Sequence, residues 1–296
     1  MIRLSSVCLA CTLVAVPLWA AAAPRAVYLG TYQIPDRVEY LGGFSGLEFS
    51  DDGKSFVALS DSAALASGTV TRDERGAITG VSFDGPPVRL KDAKGALLTD
   101  PEDDSEGLAF APDGSLYISF ELMNRVAKFG RDGVLIETLP VPREFYGFEY
   151  NAGPEALAIA PDGAIFTLPE GDAGGMASDP IFRFRGGVWD VPFKIGEDAT
   201  WRPVGADFGP DGRLYLLERD FWPLVGFKSR LRRIGFDEGG VTSDETLFET
   251  QAGRHGNLEG LSIWADTAGA VHATMMTDNN FLAIQDSAFV DYRIEE

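Results

Sequence analysis

The stretch Asp104-Ser105-Glu106-Gly107-Leu108-Ala109-Phe110-Ala111-Pro112-Asp113-Gly114-Ser115-Leu116-Tyr117-Ile118-Ser119-Phe120-Glu121 decides how this chain is read. Two short apolar runs flank an Asp-Gly pair, the strongest local signal for a β-hairpin. One acid stands just before the first run and another closes the second. The pattern returns, in whole or in part, at residues 44–61, 154–170, 204–218 and 258–278, the last with a longer turn at 265–269.

Equivalent small residues in the five copies are Gly46, Gly107, Ala156, Gly205 and Gly260, separated by 61, 49, 49 and 55 positions. A period near fifty belongs to propeller blades rather than to helical solenoids. Each interval has room for two more strands: residues 124–129 and 133–141 after the second copy, 180–184 and 188–195 after the third, 229–236 and 246–250 after the fourth. Four antiparallel strands per unit make a blade. After the fifth copy only one strand, residues 288–294, remains, while the strand-like residues 26–34 precede the first copy without a partner. The two ends meet if residues 26–34 supply the outer strand of the last blade. The expectation is therefore an all-β protein, a β-propeller of five four-stranded blades closed by an N-terminal strand. Six blades are the alternative, with a degenerate hairpin hidden in the 61-residue interval.

Length and composition agree with one large β domain: 296 residues, 45% hydrophobic, with 34 glycines and 17 prolines to make turns. Arg3 followed by an apolar run over residues 7–23, with Ala20-Ala21-Ala22 as a small-residue cleavage site, reads as a secretory signal. The expected division is a signal peptide at 1–22 and a single propeller domain at 23–296, with no membrane span once the signal is removed. Cys8 and Cys11 both lie in the signal, so the exported part has no thiol for a disulfide, a zinc site or a nucleophile. A formal charge of −20 repels nucleic acid and anionic membranes.

Chemistry follows from the hairpin topology. The Asp-Gly turn joins the two strands at one end, so the start of the first strand and the end of the second share the other. That end collects Glu106 with Glu121, Glu155 with Glu170, and Glu259 with Asp278. Asp61 and Glu218 take the later position in the first and fourth copies, and Ser45 and Val204 replace the earlier acid. Carboxylates from several segments at one mouth suit a hard cation such as calcium, and their mutual repulsion raises pKa values for acid–base work. The competing role for each acid is to accept backbone N–H groups of the next blade. The candidate metal ligands are Glu106, Glu121, Glu155, Glu259 and Asp278. The candidate catalytic set is Glu106 and Glu155, with Arg125 and Arg219 stabilising negative charge. Arg230 and Arg254 lie near the same end. Arg232 and Arg233 are expected to face solvent on either side of a strand, the acidic run at 101–106 to be a solvated loop, and Phe221, Trp222 and Phe227 to cap the core rather than line a pocket. His272 reads as structural. A Ser45–His255–acid triad across the mouth is a weaker option, since Gly43-Phe44-Ser45-Gly46 only half matches a nucleophile elbow. There is no phosphate-binding loop or dinucleotide fingerprint.

At these motifs the chain resembles the exported bacterial proteins with the "esterase-like activity of phytase" domain. The residues that carry the likeness are 42–47 (GGFSGL) with 58–61 (ALSD), 105–108 (SEGL) with 119–121 (SFE) and Arg125-Val126, 154–157 (PEAL), 205–208 (GADF), 217–219 (LER) with 229–233 (SRLRR), and 258–261 (LEGL) with 277–281 (TDNNF). The chain departs from the pattern at 276–280 (MTDNN), where a serine and a second aspartate are usual, and at 282–287, which lack a proline- and arginine-bearing tail. The resemblance implies a periplasmic or secreted, calcium-dependent propeller with phosphoesterase or esterase activity. The expected function is metal-assisted hydrolysis of a small anionic ester at the channel mouth by a monomer. The alternative is a non-catalytic propeller, stabilised by calcium, that binds a ligand or an envelope component.

Overall fold

Each turn of the repeat folds for the same local reason. Gly53, Gly114, Gly163, Gly212 and Gly269 all have positive φ, from 67° to 84°, a conformation that costs glycine nothing. In four of the turns the aspartate just before the glycine accepts the amide two residues on, as in Ser115 N–H to Asp113 Oδ1 at 3.1 Å and Ala164 N–H to Asp162 Oδ1 at 3.1 Å. The computed structural model describes residues 23–34, 42–148, 150, 152–171, 179–196, 200–279 and 287–296.

The strands are β1 (Arg25–Gln33), then β2 (Phe44–Phe49), β3 (Ser55–Ser60), β4 (Ala64–Arg72) and β5 (Ile78–Phe83) of blade I, with the two-residue β6 (Val88–Arg89) added to β4. Blade II holds β7 (Ser105–Phe110), β8 (Leu116–Phe120), β9 (Arg125–Phe129) and β10 (Leu135–Thr138). Blade III holds β11 (Pro154–Ile159), β12 (Ile165–Pro169), β13 (Asp179–Arg185) and β14 (Val188–Ile195). Blade IV holds β15 (Arg202–Phe208), β16 (Leu214–Trp222), β17 (Gly226–Asp237) and β18 (Gly240–Glu249). Blade V holds β19 (Asn257–Ala265), β20 (Val271–Asp278) and β21 (Ala288–Glu295), and β1 closes it from outside by pairing with β21. The chain is a five-bladed β-propeller closed by its N-terminal strand. The long first interval holds no sixth blade: its extra length goes into β6, which pairs Ala64 with Arg89 and Leu65 with Val88.

The inner strands β2, β7, β11, β15 and β19 touch in a closed ring. The repeated small residues stand where that ring is tightest. A Cβ on Gly107 would come 2.6 Å from Leu157 Cβ, and one on Gly260 would come 2.8 Å from Leu47 Cβ. The axis is therefore packed: the void lined by Leu47, Leu108, Leu157, Ala206 and Leu261 amounts to about 10 Å³, room for about one water. Between blades, buried side chains such as Phe166, Leu214 and Leu216 form continuous apolar layers, each worth about 1.5–3 kcal/mol of burial.

Arg232 and Arg233 do not face solvent. They are 7% and 1% exposed. The β17 strand is an interior strand of its blade, and each guanidinium is matched to acids: Arg232 to Glu218 (2.9 Å) and Asp244 on the neighbouring strands, Arg233 to Glu245 (2.8 Å) on β18 and to Glu296 just beyond β21. No helix among the described residues is long and apolar enough to cross a membrane. Residues 1–22, on which the signal peptide falls, lie outside the described residues, as do residues 280–286 of the divergent last motif.

Candidate functional site

All five inner hairpins break register at the same place: between Phe44 and Gly46, Ser105 and Leu108, Pro154 and Ala156, Pro203 and Gly205, and Leu258 and Gly260. A β-bulge adds a residue and re-aims its side chain. The added residues are Ser45, Glu106 (with Gly107), Glu155, Val204 and Glu259, so in the second, third and fifth copies the bulge carries the first acid at the end of the ring opposite the Asp-Gly turns.

The second strand's contribution is set by register. The first pairs on the mouth side of the bulge, Phe44–Ser60, Ser105–Phe120, Pro154–Pro169, Pro203–Glu218 and Leu258–Thr277, are followed on the second strand by Asp61, Glu121, Glu170, Arg219 and Asp278. Glu218 is thus one residue short of the acid position. It is buried in the blade and ion-paired to Arg230 (2.7 Å) and Arg232. Arg219 takes the place among the acids. Counting seven residues from the turn glycines, Gly114, Gly163 and Gly212, lands on Glu121, Glu170 and Arg219, a signal present in the sequence but masked by the Glu-Arg pair.

Two groups of three carboxylates result, Asp104, Glu106 and Glu121, and Glu121, Glu155 and Glu170, with ligand oxygens within 4.8 Å of one another in each. Glu121 belongs to both and accepts the Gly153 N–H at 2.6 Å. Asp104 comes from the acidic run read as a solvated loop. Its carbonyl accepts Glu121 N–H at 2.9 Å, which fixes it beside the site. Arg219 spans the other side of the mouth. It donates to Glu170 at 2.7 Å and to Asn257 Oδ1 at 3.0 Å, stands 3.6 Å from Glu155, and is ion-paired with Glu259. Asn257 Nδ2 in turn donates to Glu259 at 2.8 Å and to Asp278 at 3.3 Å. Glu259 and Asp278 therefore lie on the Arg219 side, outside both triads. Clustered carboxylates of this kind can bind a metal ion.

Electrostatics follow from burial and crowding. Burial, then Glu155, Glu259, Glu121 and Asp104, push the Glu106 carboxyl well above its ordinary range. Burial and Glu170 do the same to Glu155 against the opposing pull of Arg219. Burial pushes Glu121 up to about 7, with the Gly153 amide opposing and Glu170 adding. Glu259 and Asp61 are also raised to about 7, chiefly by burial. Burial works against the Arg219 charge, but Glu259, Glu155 and Glu170 outweigh it and push its pKa up. Among the described residues no hydrogen bond or ion pair reaches the Glu106 carboxylate.

The other candidates separate. Arg125 lies over the Phe120 ring (3.8 Å to its centroid) and donates to Met123 O and Glu102 O, on the wall of a cavity beside Glu121. Arg230 is held by Glu218 and Trp201, and Arg254 lies over Tyr28. Phe221 and Phe227 do not cap the core. They line a cavity of about 430 Å³ with Arg219, Arg202 and Asn257, and Trp222 is 50% exposed. Arg202, missed in the sequence, pairs across the hairpin with Arg219 and donates to Glu170 O at 3.2 Å. Only register reveals it. The triad does not form: Ser45 Oγ donates to Ser105 O at 2.7 Å, and His255 Nε2 is 2.6 Å from Tyr292 Oη. His272 is structural, stacked on Trp264.

The family model described as "Phytase-like: Esterase-like activity of phytase" matches residues 39–281. None of the curated proteins matches the chain in sequence. Among solved structures, the PQQ-bound aldose sugar dehydrogenase of Streptomyces coelicolor is 13% identical, covering 90% of this chain and 98% of that one with a TM-score of 0.44. A virginiamycin B lyase of Staphylococcus aureus is 12% identical, covering 90% and 99% with a TM-score of 0.41. A luciferin-regenerating enzyme is 9% identical, covering 93% and 96% with a TM-score of 0.46. At such identities nothing of their chemistry passes to this chain.

Proposed function

The chain belongs to the phytase-like family, described by the esterase-like activity of phytase, and from that premise we propose that it is an exported, calcium-assisted hydrolase of small anionic phosphate or carboxylate esters. One observation carries the reading: two carboxylate triads share Glu121 at the end of the ring where all the bulges lie. The donor set fits a hard cation, since every ligand atom is a carboxylate oxygen and the surplus of acids over Arg219 leaves charge to be neutralised. When bound, such a cation polarises the ester or phosphoryl oxygen and lowers the pKa of an attacking water. Asp104, Glu106, Glu121, Glu155 and Glu170 hold it. Glu121 is fixed by the Gly153 amide. Glu106 and Glu155, with pKa values raised by burial and crowding, hold and pass the proton of the water or leaving oxygen. Arg219 acts on the protein's own acids, keeping Glu155, Glu170 and Glu259 apart from one another's repulsion. Glu259 and Asp278 complete that side of the mouth. Arg125 faces the substrate's negative charge from the neighbouring cavity. Residues 1–22 direct export to the periplasm, where the processed chain, residues 23–296, works as a monomeric single domain.

The test is hydrolysis of aryl phosphate and aryl carboxylate esters by the purified protein, with calcium and with chelator. Calcium-dependent turnover that a Glu106→Gln, Glu155→Gln double variant loses is expected. Turnover no higher than that variant's would overturn the reading, and calcium-dependent stability without turnover would leave a binding propeller in its place.

A further inference from the structure

Beside the acids lies a cavity of about 560 Å³, within the usual size of small-molecule sites (roughly 300–1,000 Å³). Its position is set by chain connectivity. One wall is the turn that follows Glu121 and leads into β9, and the other is the connection from β10 to β11, which contains a 3-10 turn at Arg143–Gly147. Both segments end at the mouth, so the cavity opens next to Glu121.

Its chemistry is uneven. Phe145 and Phe148 lie against each other with centroids 5.0 Å apart, and Tyr146 and Tyr150 stand on the wall 80% and 86% exposed. Rings left open to this degree carry a binding surface rather than core. Against them stands Arg125. Two of its donors are used on backbone carbonyls, Met123 O at 3.0 Å and Glu102 O at 2.5 Å, of the five N–H groups a guanidinium carries. The Phe120 ring fixes its plane. No carboxylate lies within ion-pair distance of it among the described residues. In a chain with 45 acidic and 25 basic residues, Arg72, Arg219, Arg230, Arg232 and Arg233 are all ion-paired; Arg125 shares with Arg131, Arg202 and Arg254 the lack of such a partner among the described residues, and of these it is the one on the wall of this ring-lined cavity. A partly buried guanidinium without an anion of its own is suited to take one from a ligand.

We propose that this cavity is the recognition pocket for the substrate's non-reacting part, and that it takes an aryl group beside an anionic head in preference to a polyphosphorylated polyol. The proposal deepens the hydrolase reading and rests on it only for where the reacting bond lies. The selection has a physical basis. Rings offer stacking area and few hydrogen bonds, so a polyol would leave hydroxyls unpaired against them. A single charge meets Arg125, whereas a polyanion meets the field of a protein with net charge −20.

Calorimetric titration of the whole protein in chelator, with phenylphosphonate as a non-hydrolysable probe, separates the pocket from the cation site. Phenylphosphonate is expected to bind at least tenfold more tightly than inorganic phosphate or inositol hexakisphosphate. Arg125→Gln is expected to weaken it at least tenfold and Tyr146→Ser several-fold. Because Tyr146 is exposed, the second variant still decides the matter if the first does not fold. Binding no tighter than that of inorganic phosphate, or unmoved by both variants, overturns the proposal. The Glu106→Gln, Glu155→Gln protein is expected to keep phenylphosphonate binding. Absence of turnover with binding intact therefore removes the hydrolase reading alone, and turnover without this binding removes the pocket alone.

Discussion

At the turn end of the inner ring Asp207 accepts two backbone amides, Ile263 N–H at 2.6 Å and Phe208 N–H at 2.7 Å, and Glu48 accepts Phe110 N–H at 3.4 Å, while Ser262 Oγ accepts Phe49 N–H at 2.9 Å. Three blade junctions are clasped in this way. At the bulge end, among the described residues, no hydrogen bond or ion pair reaches the Glu106 carboxylate, and that of Glu155 meets only Arg219, at 3.6 Å. Both ends bury carboxylates with raised pKa values. Burial and pKa therefore do not distinguish structural acids from site acids. What does is whether the lone pairs are already filled. A carboxylate that closes a blade junction is part of the fold, whereas a crowded carboxylate with open lone pairs must hold either a proton or a cation.

The comparison can be broken at four points. Arg219→Met has the largest expected effect. It strips three buried acids of their counter-charge and should cost about 3–5 kcal/mol in chelator, the usual result of removing one partner of a buried pair. Urea unfolding measures it, with calcium restoring part of the loss. Glu121→Gln comes next. Calcium at 100-fold its Kd should stabilise the wild type by about 2.7 kcal/mol and the variant by far less, as thermal melts with calcium and with chelator would show. An equal calcium shift in both proteins would move the cation away from the shared ligand. Gly107→Ala tests the ring between the two ends. Its Cβ would meet Leu157 Cβ and Ser119 Oγ at 2.6 Å, at a cost of about 1–3 kcal/mol of overpacking in the same unfolding assay.

Glu48→Gln is expected to act in the opposite direction and least. Burial pushes the Asp207 carboxyl up to about 7 from an ordinary 3.8, and burial followed by Asp207 itself raises Glu48. The folded state thus holds extra protons from about pH 4 to about 7, and stability declines as pH rises through that window. Removing one charge of the pair while keeping the acceptor for Phe110 N–H should flatten this decline. The gain at pH 8 is on the order of 1 kcal/mol, read from melts at pH 5 and pH 8. A pH profile identical to the wild type would mean that the pair does not share its proton.

The blade count and ring closure were legible in the chain because they rest on local chemistry. Asp113-Gly114 makes the same turn wherever it occurs, and the spacing of Gly46, Gly107, Ala156, Gly205 and Gly260 repeats with it. The same hairpin logic brought Glu106, Glu121 and Glu155 to one end. That logic does not reach what register and contacts between segments decide: Arg219 rather than Glu218 stands among the acids, Asp104 joins them from the acidic run, and Arg232 and Arg233 are buried in ion pairs.

The sequence by itself thus determined a five-bladed ring and the end of it that carries the acids, because turn geometry and strand alternation depend on neighbouring residues. Only the tertiary structure decided which acids cluster closely enough to hold a metal ion, which are filled by the amides of the next blade, and that Arg219 stands among them. Those outcomes depend on bulges and on contacts between blades some fifty residues apart, where a shift of one residue changes a ligand into a core salt bridge.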